Sequence, residues 1–485
     1  PLALKQLKND GLLSGIEIHA ANFSFKENFK LRFLAVCLLW LKVFWLAAKA
    51  IFSGITVRLI LNQRFISWSE KNAPAYVIRT WLNPRVLNFT NIYSDPYFGS
   101  LPAYLSQKGY KVLVIAGIYG PILKILSFLN KKKALTFLPE IFFLRPLDCF
   151  RTAGIALFKR INLKEKVIFR GIEVSSFFSE ALEKGYLSSA IYQNATRFFV
   201  AKNLAKKLKK FIYLQPFENY AWEKAMILGL KSGQEKDFTI TIFGFQHAFI
   251  SRDSFKYFSA PAEEPLMPLP QKIITLGEVT RRILSEKGRY CSLELRAGCA
   301  LRQEYIRDSG LLSRKTQRKL LVPLTMVKAE SLKIISFLEK SQICRKGYSI
   351  ILRFHPLFGF GALKKEFPQG LPSGFMVDSA GSAVEAIKQA DIVCYTWSTV
   401  AIEALKLGVP VIYLDILKPM RVDPLFQCAN LKSSVEFPEE LALSLEKIYN
   451  LSAEQFLNEQ ALSQAYLKEY FNPVDEAHLR SFLPE

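Results

Sequence analysis

Short apolar runs alternating with helical patterns organise most of this chain. Ser349–Phe354, Asp391–Tyr395 and Val411–Leu414 each read as a short, largely apolar strand ending in a polar loop. Runs this short, interleaved with helices, predict parallel strands covered on both faces. Upstream, Ala75–Thr80, Lys111–Ala116, Phe211–Leu214 and Thr239–Phe243 read the same way. Helices are predicted between them at Gly99–Lys108, stopped by Gly109, at Ile122–Leu129 and at Asn219–Leu230. A second series follows: strand Leu320–Leu324, loop Thr325–Ala329, helix Glu330–Lys340, helix Val400–Leu407 and helical Glu439–Tyr470. Ser259–Gln271, with prolines 261, 265, 268 and 270, is a loop. The expected organisation is an N-terminal helical segment (1–70), an α/β domain (71–280), a charge-rich linker (281–318), a second α/β domain (319–438) and C-terminal helices (439–485).

One segment departs from this pattern. Phe33–Phe52 is apolar almost throughout and long enough to cross a bilayer, which takes ~20 residues. Lys42 sits in its middle, where a charge costs roughly 3 kcal/mol on insertion scales. Lys42 and Lys49 are seven residues apart, hence about 20° apart around a helix, and share one thin polar stripe. Trp40, Trp45, Arg32, Arg58 and Arg64 also suit an interface. A helix lying in a membrane surface, a helix packed on protein and a true span all remain open.

Length and charge narrow the function. The chain has 485 residues, 50% of them hydrophobic, enough for two cores. Its formal net charge of +23 favours an anionic partner: a membrane surface, a nucleotide sugar, a polyanionic glycan or nucleic acid. No nucleic-acid module is visible, and the aromatics do not interleave with basic residues as a stacking platform would, so nucleic acid is not the expected partner. The basic run Lys202–Lys210 reads as a solvated helix face or a contact for an acidic membrane. The cysteines (37, 149, 291, 299, 344, 394 and 428) are odd in number and contain no Cys-x-x-Cys, so neither a zinc site nor a disulfide framework is expected. Reduced thiols in a cytoplasmic protein are the simplest reading.

The candidate chemistry lies where ligands sit in parallel sheets, beyond the carboxyl ends of strands. Arg353-Phe-His-Pro356 closes one strand; His355 can donate to a phosphate or ribose, and Pro356 fixes the turn. Thr396-Trp-Ser-Thr399 opens a helix. Ser398 or Thr399 can cap it while the remaining N–H groups hold an anion. Glu403, one turn in, is placed for a ribose or a neighbouring cation, or is a surface carboxylate. In the first domain His247 follows a strand and is the favoured acceptor base, its ordinary pKa lying near neutrality. Glu218 is second and Glu223 third; five residues apart on a helix, the two carboxylates would diverge by roughly 140°.

These motifs carry a resemblance. His-Pro after a strand, then Asp391-Ile-Val-Cys-Tyr-Thr-Trp-Ser-Thr-Val-Ala-Ile-Glu403 and Gly408-Val-Pro-Val-Ile412, resembles the donor domain of GT-B glycosyltransferases. The bacterial surface-polysaccharide enzymes are most similar: capsule Kdo transferases, polysialyltransferases and teichoic-acid glycerophosphotransferases. Asp95-Pro-Tyr-Phe-Gly-Ser-Leu-Pro102, Pro216-Phe-Glu-Asn-Tyr-Ala-Trp-Glu223, Gly244-Phe-Gln-His247 and Pro268-Leu-Pro270 resemble a surface carbohydrate biosynthesis group. The likeness covers roughly residues 75–430. It implies an α/β fold of the GT-B type, two Rossmann-like domains facing a cleft. The implied activity is sugar transfer from a nucleotide donor, cytidine-linked in these families, to a glycan or lipid-linked acceptor at the inner face of the cytoplasmic membrane. Arg353, His355, Pro356, Thr396, Ser398, Thr399 and Glu403 would hold the donor. No cofactor is implied, and no Asp-x-Asp is present, which fits a site without metal. The polysialyl type's acidic pair followed by Gly has no clear match, and Gln246-His247-Ala248 stands where the teichoic type has Trp-His-Gly. Asp378-Ser-Ala-Gly381 is similar to a loop of nucleotide-sugar 2-epimerases but precedes the Ser/Thr helix instead of lying in it. Two alternatives stay open: an epimerase of the same architecture, and a non-catalytic scaffold that binds glycan or membrane.

Overall fold

The computed structural model describes all residues except 1–28, 85–92, 132–134, 162–165, 170, 261–262, 307–309, 356–357 and 485. The strands, in chain order, are β1 (Ala75–Leu82), β2 (Lys111–Ile118), β3 (Thr136–Pro139), a short hairpin of β4 (Ile168–Phe169) and β5 (Ile172–Glu173), β6 (Lys210–Pro216), β7 (Thr239–Gln246), β8 (Lys272–Thr275) and β9 (Glu294–Ala297). There follow β10 (Lys319–Pro323), β11 (Ser349–Arg353), β12 (Phe375–Val377), β13 (Ile392–Tyr395), β14 (Val411–Leu414) and β15 (Lys432–Val435). They form a seven-stranded sheet ordered β3-β2-β1-β6-β7-β8-β9 and a six-stranded sheet ordered β12-β11-β10-β13-β14-β15. The expected α/β architecture of two mainly parallel sheets is the observed one.

Each order doubles back once. The first sheet grows outward from β1 to β3 on one side and from β6 to β9 on the other; the second reverses between β10 and β13. Such reversals open a crevice at the carboxyl ends of the flanking strands, because the following loops part in opposite directions. The central strands are unbroken apolar runs because helices cover both faces. Leu320, Val322, Ile350, Leu352, Ile392, Cys394, Ile412 and Leu414 all lie in one buried cluster.

By contacts, the chain divides into two compact units. One holds the chain up to Tyr93, Pro102–Gln215 and Tyr220–Ile242; the other holds Ser94–Leu101, Pro216–Asn219 and Phe243–Glu485. The second unit thus borrows two short loops from the first half of the sequence. The stretch 281–318, expected as a linker, contains most of helix Glu278–Lys287 and the edge strand β9.

The apolar segment is one helix, Phe29–Ser69, longer than the expected Phe33–Phe52. Leu39, Val43, Ala47, Val57, Leu61, Phe65 and Trp68 are buried at helical spacing, so one face packs on the first unit. Phe65 meets Phe142 at 5.4 Å, and Arg58 donates to the Leu144 carbonyl at 2.7 Å. The opposite face leaves Phe33, Leu38, Leu41, Phe44, Trp45, Phe52 and Leu59 exposed.

Candidate functional site

The loops carried into the second unit build a polar cluster around His247. Asp95 and Gly99 exchange backbone hydrogen bonds at 2.9 Å, and the Asp95 carboxylate accepts from the N–H groups of Tyr97 at 2.9 Å and Phe98 at 3.1 Å. Gly99 closes this turn at φ +48°, and a Cβ there would stand 2.5 Å from the Leu301 carbonyl oxygen. Ser100 Oγ donates to Glu304 at 3.0 Å and fastens the turn. The turn sets the Tyr97 ring edge-on against His247, centroids 4.8 Å apart.

His247 follows β7 and is only 3% exposed. Its Nε2 lies 3.2 Å from Glu218 Oε1, and Lys256 pairs with the other Glu218 oxygen. Burial raises the Glu218 carboxyl, but the His247 hydrogen bond and the Lys256 charge more than offset this and hold it well below the usual carboxylate range. Burial holds His247 below its ordinary pKa, with Glu218 opposing and the charges of Arg302 and Lys256 assisting. A neutral ring that donates from Nε2 to a carboxylate carries its lone pair on Nδ1. That Nδ1 is buried and has no hydrogen-bond partner among the described residues.

Glu218 precedes its helix instead of opening it. Asn219 adopts φ 62°, outside helical space, and its amide donates to the Lys256 carbonyl at 2.8 Å, so the helix starts at Ala221, not Asn219. Glu223 has a different task. It is buried in the first turn of Ala221–Gly233 and accepts from the Tyr220 N–H at 3.3 Å, in the first unit, whereas Glu218 belongs to the second.

The strand-end residues of the second sheet lie in the same unit as His247. Ser398 caps helix Thr399–Lys406, its Oγ accepting from Val400 N at 3.3 Å, and Thr399 is the first helical residue. Thr396 is buried, and its hydroxyl has no partner among the described residues. These residues follow β13, at the reversal of the sheet, and Trp397 donates to Glu330 beyond β10 at 3.0 Å. Arg353 ends β11 and is paired with Asp378; it also donates to the Ala380 carbonyl at 3.3 Å. The discounted Asp378-Ser-Ala-Gly381 loop is therefore the partner of the strand-end arginine. His355 is half-buried, and its carbonyl accepts from Phe358 N at 2.8 Å; Pro356 lies outside the described residues.

Glu403 is not a surface carboxylate: it is 5% exposed. Burial raises its pKa, against the Tyr305 hydrogen bond and the charges of Arg302 and Arg353. Arg302 thus bears on both Glu403 and His247, and its guanidinium lies 5.7 Å from the Tyr97 ring centroid. The structure joins Glu218 to His247 and Arg353 to Asp378 directly, and Arg302 is a cation whose field acts on both His247 and Glu403. Lys256, Arg302 and Tyr305 are members that sequence reasoning missed; Tyr97 and Asp378 lie in motifs it quoted without giving them a place in the site. Among the described residues no group of His, Cys, Asp and Glu is arranged to hold a metal ion.

No family model and no curated protein matches this chain. Among solved structures it is similar to a glycosyltransferase from Rickettsia africae at 12% identity and TM-score 0.47, covering 84% of this chain and 96% of that one. It is also similar to MurG of Acinetobacter baumannii (11%, TM-score 0.43, covering 81% and 95%) and to UDP-GlcNAc 2-epimerase from Neisseria meningitidis (11%, TM-score 0.45, covering 81% and 97%).

Proposed function

We propose that the protein transfers a sugar from a nucleotide-activated, cytidine-linked donor to a surface polysaccharide or lipid-linked glycan. The observation that carries this reading is the Glu218–His247 pair with its buried, unpartnered Nδ1. When the groups covering Nδ1 move aside, an acceptor hydroxyl donating to it satisfies that lone pair. As the hydroxyl oxygen forms its bond to the anomeric carbon, its proton passes to Nδ1 and the bond from that carbon to the nucleotide phosphate breaks. The N–H groups at the start of Thr399–Lys406, with Ser398, Thr399 and His355, receive the leaving phosphate, whose charge the helix dipole favours. Thr396 and Glu403 hold the nucleoside end beside Arg353. A thermal-shift series with CMP, CDP, UDP and GDP tests the donor: cytidine nucleotides raise Tm most. His355→Ala weakens that binding by about 1–3 kcal/mol, the scale of a charge-assisted hydrogen bond. Unchanged affinity in a folded variant removes His355 from the donor site. Incubation with nucleotide sugar alone distinguishes an epimerase, which needs no acceptor.

The enzyme works at the cytoplasmic face of an anionic membrane. The exposed apolar side of Phe29–Ser69 is continued by helix Pro146–Phe158, where Trp40 meets Phe158 edge-on at 5.4 Å and Leu147 and Phe150 are exposed. Lys42 and Lys49 are exposed to lipid headgroups, and Arg145 and Arg151, exposed though each paired with Asp148, add positive charge beside them. One face of the long helix is held by protein from Leu39 to Trp68, which favours lying on a bilayer over crossing it. In sedimentation with phosphatidylglycerol vesicles the protein pellets at ~0.1 M salt and is partly released at ~1 M, where the Debye length falls from about 10 Å to 3 Å. Failure to bind at low salt removes the membrane role, and resistance to both salt and carbonate marks a span.

A further inference from the structure

The first unit contains a second polar cluster, which the proposed reaction does not use. It lies at the reversal of the seven-stranded sheet, where β1 and β6 are neighbours and ligand crevices form. Arg79, two residues before Trp81 on β1, is 0% exposed. Its guanidinium lies 3.7 Å from the Trp81 ring centroid and 4.0 Å from that of Trp222. Gly117, the β2 partner of Trp81, makes room: a Cβ there would collide with Trp81 and Arg79.

The hydrogen-bonding groups of this cluster are not all used. Arg79 Nε donates to Glu140 Oε1 at 2.6 Å, and Arg197 Nε stands 3.7 Å from Oε2 of the same carboxylate. Two guanidiniums share the Glu140 carboxylate, and the buried Glu223 carboxylate accepts from the Tyr220 N–H. Arg79 Nη1 and Arg197 Nε are buried without hydrogen-bond partners among the described residues, and Arg197 Nη1 reaches Asn194 only at 3.5 Å. A buried guanidinium N–H left without an acceptor is costly unless an oxygen joins it. The outer layer is aromatic. Tyr119 stacks on Trp81 at 5.0 Å and 24°, and is 61% exposed. A flat aromatic face suits the apolar face of a sugar ring, and an arginine fork suits a carboxylate or phosphate.

We propose that this crevice binds an anionic sugar, with the carboxylate or phosphate on Arg197 above Arg79 and the ring on Tyr119. In the transferase reading it selects an acidic acceptor glycan, but binding here requires neither donor nor transfer. The test is titration of the full chain, followed by calorimetry and tryptophan fluorescence, with glucuronic acid, glucose 6-phosphate, glucose and inorganic phosphate. The charged sugars bind at least about tenfold more tightly than glucose, the scale of one charge-assisted hydrogen bond. They also bind more tightly than inorganic phosphate, which lacks a ring to stack. Arg197→Gln abolishes the preference for charge. Tyr119→Ala, at a position 61% exposed, weakens the sugars while leaving inorganic phosphate unchanged. Equal affinity for glucose and glucuronic acid, or an unaltered charge preference in a folded Arg197→Gln protein, overturns the proposal. Inorganic phosphate binding as tightly as the sugars overturns the sugar assignment. Charged-sugar binding without any sugar transfer upholds this site and defeats only the transferase reading.

Discussion

Replacing His247 by alanine lowers the rate of sugar transfer by about 10²–10⁴-fold and leaves nucleotide affinity nearly unchanged. The size follows from the role. A positioned base contributes only while the proton moves, so its loss falls on kcat and not on donor binding. The ring is buried between Tyr97 and Glu218, so alanine also leaves a cavity, and a melting curve must show the variant folded at the assay temperature. Because burial holds His247 below its ordinary pKa, the unprotonated base persists below pH ~6.5, and the acid limb of kcat/KM lies under that value. The same depression acts on stability. The unfolded chain takes up this proton first, so folding weakens as pH falls through ~6.5 towards the folded-state value. An acid limb above pH 6.5, or a transfer rate unaltered by His247→Ala, excludes His247 as the base.

Glu218→Gln gives the second large effect, at least about tenfold on transfer, with a direction in pH that separates positioning from catalysis. The carboxylate raises the His247 pKa against the burial that lowers it. An amide can still accept from Nε2, so the ring keeps its tautomer but loses the charge that stabilises the imidazolium as it forms. The plateau falls, and the acid limb moves to lower pH. Lys256 loses its partner at the same time, so Lys256→Met alone serves as the control: it removes the ion pair and keeps the Glu218–His247 bond. If Glu218→Gln abolishes transfer while His247→Ala only raises the acceptor KM, the carboxylate is the base and the imidazole positions the acceptor.

The parts of this molecule legible in its sequence are those where burial is two-sided. β10, β11, β13 and β14 are continuous apolar runs, and their loops could be placed with them. The edge strand β15 reads Lys-Ser-Ser-Val and β12 has three residues; an edge needs neither an apolar run nor length, so neither stood out. Helices Pro146–Phe158, Ser175–Tyr186 and most of Ala190–Leu208 also went unread, their apolar positions being divided among several packing partners or left exposed. Within the candidate site, His247 and Glu403 could be found because each sits beyond a strand. Lys256 and Arg302 could not, because they sit on short 3-10 turns, and the approach of Tyr97 to His247, though its motif was quoted, is tertiary and leaves no periodicity. Arg79 did carry a signal. A cation at an inward position of a central strand is costly, and that chemical oddity counts for more than the apolar residues around it.

The Ser100–Glu304 contact spans 204 residues of sequence. During synthesis the loop bearing Tyr97 leaves the ribosome long before the residue that fastens it. At ~5–20 residues per second that interval is on the order of ten seconds or more. Helices and local strands form far faster. The first half of the chain can therefore acquire secondary structure while the turn beside His247 is still unfastened, and the surroundings of the Glu218–His247 pair are completed only when the C-terminal half arrives. A nascent chain arrested before Glu304 would carry every residue of the Glu218–His247–Lys256 triad without the clasp that sets Tyr97 against it. The setting of Tyr97 against His247 thus waits on residue 304 and is acquired late.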